Sequence, residues 1–182
     1  CAETDSCRLD DSIKKNQIMY WSYINRAKAY LDKNGEESDY EYSRKNYIRA
    51  LKNYNEALAF AVSENDVRDV LRNMAALCRK LGDEEGYIQL KLEEIDGLPD
   101  NEKFQEYCSL VNELSENADK INILEKALFA VTDEDVSFVT KCRNTIEVCR
   151  YLEKSYLHGG DEANAARVSN LRRNAEELLS RG

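Results

Sequence analysis

Six thiols and one imidazole are the side chains here with the most reactive chemistry to offer. Cys1, Cys7, Cys78, Cys108, Cys142 and Cys149 include no Cys-x-x-Cys pair, and His158 stands alone, so spacing assembles neither a zinc site nor a Cys–His nucleophile. Cys142 and Cys149 are seven positions apart, about 10 Å along a helix and beyond disulfide reach. Cys78, Cys108, Cys142 and Cys149 fall where apolar helical residues are expected, and reduced Cys packs there as a small hydrophobe. His158 directly precedes Gly159-Gly160 and reads as a helix-terminal residue. The carboxylate pairs Glu84-Glu85, Glu93-Glu94 and Glu176-Glu177 are adjacent in sequence, and neighbours on a helix point apart instead of converging on a substrate. There is no glycine-rich phosphate loop. The expectation is a protein without catalysis, metal or cofactor.

Charge narrows the partners. The 182 residues carry 26 Lys and Arg against 35 Asp and Glu, a net −9 that repels nucleic acid and anionic membrane surfaces. A groove can still have the opposite sign, because net charge describes the whole surface. With 42% hydrophobic and 34% charged residues and a single Pro, neither the disordered nor the membrane-spanning class fits. Acidic charge and core-type cysteines favour an intracellular protein. Cys1 opens an alternative: mature bacterial lipoproteins begin with a lipidated Cys, which would anchor the chain at a cell envelope and give it its one membrane contact.

The elements that carry these residues are helices. Ala, Leu, Glu, Lys, Arg and Tyr are abundant, and no window alternates apolar and polar residues long enough for a strand. Helix stops followed by capping residues fall at Asn34-Gly35, Ser63 to Asp66, Gly82-Asp83, Gly97 to Asp100, Ser115 to Asn117, Thr132 to Asp135 and Gly159 to Asp161. They divide the chain into an N-terminal tail over 1–10 and eight helical segments paired as hairpins over 11–62, 66–97, 100–131 and 134–180. The first hairpin has a long connection from Lys33 to about Tyr42, and the fourth starts with a helix from about Asp135 to His158. A last helix, Ala163 to Leu179, sets Arg167, Arg172, Arg173 and Arg181 beside Ala165, Ala166, Leu171, Leu178 and Leu179, as a terminal cap with a solvated outer face would.

The hairpins repeat. Leu71, Met74, Ala75 and Cys78, followed by Gly82-Asp83, set a bulky-bulky-small-bulky spacing that recurs at Phe104, Tyr107, Cys108 and Val111. Tyr47, Ala50, Tyr54, Ala57 and Leu58 set small residues seven apart around an aromatic, which lets two helices approach closely, and Leu124, Ala127 and Leu128 repeat part of it. These residues resemble the tetratricopeptide repeat, a 34-residue helix-turn-helix unit. The resembling pieces cover most of residues 18–180. The resemblance implies a right-handed superhelical stack of about four hairpins whose first helices line a concave groove, and hence a non-catalytic adaptor or scaffold that binds a peptide or helix of another protein. Such repeats also occur as interaction segments of larger enzymes.

In the register implied by the resemblance, groove positions are Trp21, Asn25 and Lys28 in the first hairpin and Arg72, Asn73, Ala76, Arg79 and Lys80 in the second. Their guanidinium, amide and ammonium donors match carboxylates. Chaperone-binding members of the family clamp a C-terminal carboxylate peptide, but only Asn73 fits that clamp. Ile24 and Lys28 stand at its first-repeat positions, and Glu102 and Glu106 stand where cations are needed, so a different ligand is expected. Tyr20, Tyr23 and Tyr30 beside Trp21 read as packing residues between helices.

Overall fold

Two Gly-Asp pairs make the sharpest corners of the chain. At Gly82 the backbone enters the left-handed region, φ 73°, and the Asp83 amide donates back to the Cys78 carbonyl at 2.9 Å. Asp83 then caps the next helix by accepting from the Gly86 amide at 2.9 Å. Gly160 repeats the device: φ is 75°, the Asp161 amide bonds the Tyr156 carbonyl at 2.9 Å, and Asp161 accepts from the Asn164 amide at 3.0 Å. One residue type ends a helix and the next starts another, so each pair folds the chain into a hairpin.

The computed structural model describes residues 2–33, 40–131 and 137–181, with side chains for 11–33, 40–99, 102–131 and 137–181. Among them are eight helices and no strand: α1 (Ala2–Leu31), α2 (Tyr40–Leu58), α3 (Glu64–Leu81), α4 (Glu84–Asp96), α5 (Asp100–Glu113), α6 (Asn117–Ala130), α7 (Phe138–His158) and α8 (Glu162–Arg181). The expected all-α chain of helical hairpins is what forms. The segment over 1–10 is not set off as a tail: from Ala2 the chain is already in α1, since no Gly or Pro interrupts it before Gly35. Ser63 caps α3 by accepting from the Asp66 amide, and Ser137 caps α7 by accepting from the Thr140 amide, so α7 starts three residues after the expected Asp135. Cys1 and the turns at Asn34-Gly35 and Thr132 to Asp135 lie outside the described residues.

The helices gather into two compact units, Cys1–Gly97 and Leu98–Gly182. In the first, α1 packs on α2, α2 on α3 and α3 on α4. Its core joins Tyr20, Ile24 and Ala27 of α1 to Ala50, Tyr54 and Ala57 of α2 and Val70, Met74 and Leu77 of α3. Ala27, Ala50 and Ala57 are completely buried, which is the close helix approach that the seven-residue spacing of small residues predicts. Leu71, Ala75 and Cys78 are buried on an adjoining stripe, so α3 hides two stripes and keeps one exposed.

In the second unit α5 packs on α6, α6 on α7 and α7 on α8. Phe104, Tyr107, Leu110, Ile123, Leu124, Ala127, Cys142, Ile146, Val148, Cys149, Leu152, Val168 and Ala175 are buried there. Glu125 ties three helices: it accepts from the Tyr156 hydroxyl of α7 at 2.7 Å and pairs with Arg167 of α8. Arg172 of α8 reaches Glu153 of α7 at 3.2 Å. Cys78, Cys142 and Cys149 are buried, Cys108 is half-buried, and all four are free thiols, as their apolar positions predict.

The corners give a direct stability test. An added Cβ at Gly82 or Gly160 meets nothing within 4 Å, so the cost of Ala there is conformational alone. Gly82→Ala and Gly160→Ala are each expected to lower unfolding free energy in urea by about 1 kcal/mol without changing helicity. Unchanged midpoints would show that the corners tolerate a right-handed residue.

Candidate functional site

The eight residues placed in a groove by the repeat register divide between two helices of the first unit, Ala76 among them as an exposed residue of α3. Trp21, Asn25 and Lys28 lie on one exposed stripe of α1, next to the buried stripe of Tyr20, Ile24 and Ala27. Trp21 is 53% exposed and meets Tyr20 edge-on, ring centroids 5.3 Å apart. Ile24, at a clamp position of the resemblance, is in the core. The other aromatics do pack: Tyr20 is buried with its hydroxyl donating to the Asp66 carbonyl at 3.2 Å, Tyr23 stacks on Phe60, and Tyr30 lies beneath Arg49 and Lys33. Burial and the nearby Asp66 and Asp69 push the Tyr20 hydroxyl up to about 12.

Arg72, Asn73, Arg79 and Lys80 occupy the remaining exposed strip of α3, but the fold already uses them. Arg72 donates its Nε to Glu94 of α4. Arg79 sits over the Tyr87 ring of α4 at 4.3 Å, and Lys80 over the Tyr47 ring of α2 at 5.2 Å. Asn73 turns its amide back to the Asp69 carbonyl of its own helix at 2.6 Å. The three cations therefore serve as links from α3 to its neighbours on both sides.

Glu94 is the reason Arg72 is held. Its side chain is 5% exposed, and Lys91 also donates to it at 2.7 Å. Burial alone pushes the Glu94 carboxyl up. The hydrogen bonds and charges of Lys91 and Arg72 outweigh that and hold it below its ordinary value of 4.5. A buried carboxylate stripped of one partner is costly, so Arg72 is a structural cation.

A second strip, which the repeat register passed over, lies on α7. Arg143, Ile146, Glu147, Arg150, Tyr151 and Lys154 line one cleft. A second cleft shares Tyr151 and Lys154 and continues to Leu157 and His158, meeting Val111 and Asn112 of α5 and Asn117, Lys120 and Leu124 of α6. Asn117 steadies that end by donating to the Ser155 carbonyl at 3.0 Å. Val111, Leu124 and Ile146 give the clefts a buried apolar floor, while Tyr151 and Leu157 are 49% and 57% exposed. The signal in the sequence was the spacing of Arg143, Arg150 and Lys154, seven and four residues apart, which puts three cations on one helix face.

No protein-family model, curated protein or solved structure matches the chain. The chemistry of the surface must therefore be read from its own residues. Among the described residues no group of three His, Cys, Asp or Glu side chains is placed to hold a metal ion, and no helix is long and apolar enough to cross a membrane. Burial pushes the Cys108 and Cys149 thiols up to about 11, and burial with the Asp83 carboxylate raises Cys78, so these sulfurs are poor nucleophiles at neutral pH. His158 ends α7 on the surface, as its place before two glycines predicts.

The Glu94 cluster predicts a pH signature. A carboxylate whose folded pKa is lowered contributes stability above its unfolded value of about 4.5, and that contribution disappears as pH falls through the lower folded value. Glu94→Gln is expected to cost about 2 kcal/mol in urea unfolding at pH 7, with the gap to the parent protein closing at acid pH below the folded pKa. A gap independent of pH would show that the carboxylate charge contributes nothing.

Proposed function

We propose that the protein is a non-catalytic scaffold of tetratricopeptide-like helical hairpins that binds a segment of another polypeptide. The observation that carries this reading is the pair of adjoining clefts along α7 that share Tyr151 and Lys154, with an apolar floor at Ile146 in one and at Val111 and Leu124 in the other, flanked by exposed Tyr151 and Leu157. Concave surfaces of this kind, with an aromatic anchor above an apolar floor, suit the few central residues that dominate the energy of polypeptide recognition. Raised thiol pKa values and surface placement of the sole imidazole support a binding role over a catalytic one. The proposal moves the contact surface from the Arg72 strip of α3 to α7, because the α3 cations are held by Glu94, Tyr87 and Tyr47.

A photo-crosslinking side chain at Tyr151 tests this in native extract, with the same group at Arg173 on the solvated face of α8 as control. Adducts of discrete mass to another polypeptide are expected from position 151 and absent from position 173. No adduct at 151, or the same adducts from both, would overturn the proposal.

A further inference from the structure

We infer that the α7 cleft takes an acidic segment of its partner, one that intersperses carboxylates with large apolar side chains, an inference that rests on the scaffold reading above. Among the described residues the walls contribute four cations, Arg143, Arg150 and Lys154 of α7 and Lys120 of α6, against the single carboxylate Glu147. This reversal of sign occurs in a chain whose net charge is −9. Arg143, Lys154 and Lys120 have no ion-pair partner among the described residues. Arg150 reaches Glu176 at 3.5 Å, but Arg150 is largely exposed and Glu176 also takes Arg172 at 3.1 Å, so the pair is weak and readily exchanged.

The geometry suits a short polypeptide. Arg143 and Lys154 are eleven residues apart on one helix face, about 16 Å, which is close to the span of five extended residues. Carboxylates spaced along that length can meet guanidinium and ammonium groups in turn, and Arg binds carboxylate with two parallel hydrogen bonds. Apolar side chains between them reach the floor at Leu124 and Ile146, and the water they displace strengthens the ion pairs at the rim. A nucleic acid fits less well: its dense phosphates meet the repulsive field of the whole chain, and the apolar floor gives them nothing. The cations of α3 cannot substitute, since Arg72, Arg79 and Lys80 are already engaged.

Fluorescence anisotropy with the full chain tests this, using a labelled peptide of about twelve residues that alternates Glu and Asp with two Leu, its Gln and Asn counterpart, and a single-stranded oligonucleotide of equal charge. The acidic peptide is expected to bind saturably, weaken with added salt, and exceed the amide counterpart by about tenfold or more. Arg143→Gln with Lys154→Gln should weaken it about tenfold, and Arg173→Gln with Arg181→Gln, the same change of charge on α8, less than about twofold. Equal losses in the two variants, equal binding of the amide peptide, tighter binding of the oligonucleotide, or no saturation by about 1 mM would each overturn the inference. If the acidic peptide fails while Tyr151 still crosslinks a partner, the acidic specificity falls and the scaffold reading stands. If neither is seen, both fall.

Discussion

A helix packed between two neighbours must bury two stripes, and that constraint decides where the charged groups of α3 and α7 can go. α3 shows it most fully: Val70, Met74 and Leu77 join the core with α1 and α2, and Leu71, Ala75 and Cys78 are buried beside them. Only a narrow strip is left for solvent, and long cationic side chains on it are within reach of both neighbours. Arg72 and Arg79 lean to α4 and Lys80 leans to α2. The same constraint acts on α7, which buries Cys142, Ile146, Val148, Cys149, Leu152 and Tyr156 between α6 and α8. There, among the described residues, Arg143 and Lys154 form no ion pair, and Arg150 reaches only Glu176 of α8.

Electrostatics and packing therefore work at the same joints. Glu94 would be unstable as a buried carboxylate without Arg72 and Lys91, and its presence draws Arg72 out of any groove. Glu125 plays a comparable part in the second unit, accepting from Tyr156 and pairing with Arg167 so that α6, α7 and α8 meet at one carboxylate. In both units the polar links join helices that already share a core, so they fix register more than they supply cohesion.

Much of the fold was legible in the sequence because its signals are local. Gly82-Asp83 and Gly160-Asp161 end and begin helices within four residues of themselves, and the Ala50, Tyr54, Ala57 spacing announces a close helix approach on one turn-by-turn pattern. The candidate site was not legible in the same way. Arg72 and Glu94 are 22 residues apart, and Lys80 and Tyr47 are further still, so the occupancy of the α3 strip depends on pairings that no local pattern carries. The α7 strip had a local signature in Arg143, Arg150 and Lys154, but a cation row looks the same whether or not a neighbouring helix supplies its carboxylates.

The central claim is that Arg72, Arg79 and Lys80 of α3 belong to the fold and that Arg143 and Lys154 of α7 do not. Urea unfolding of two double variants with the same loss of charge, Arg72→Gln with Arg79→Gln and Arg143→Gln with Lys154→Gln, tests it most directly. The account predicts a loss of about 1–2 kcal/mol for the α3 pair and a change within about 0.5 kcal/mol for the α7 pair. Equal losses, or a larger loss from α7, would contradict it.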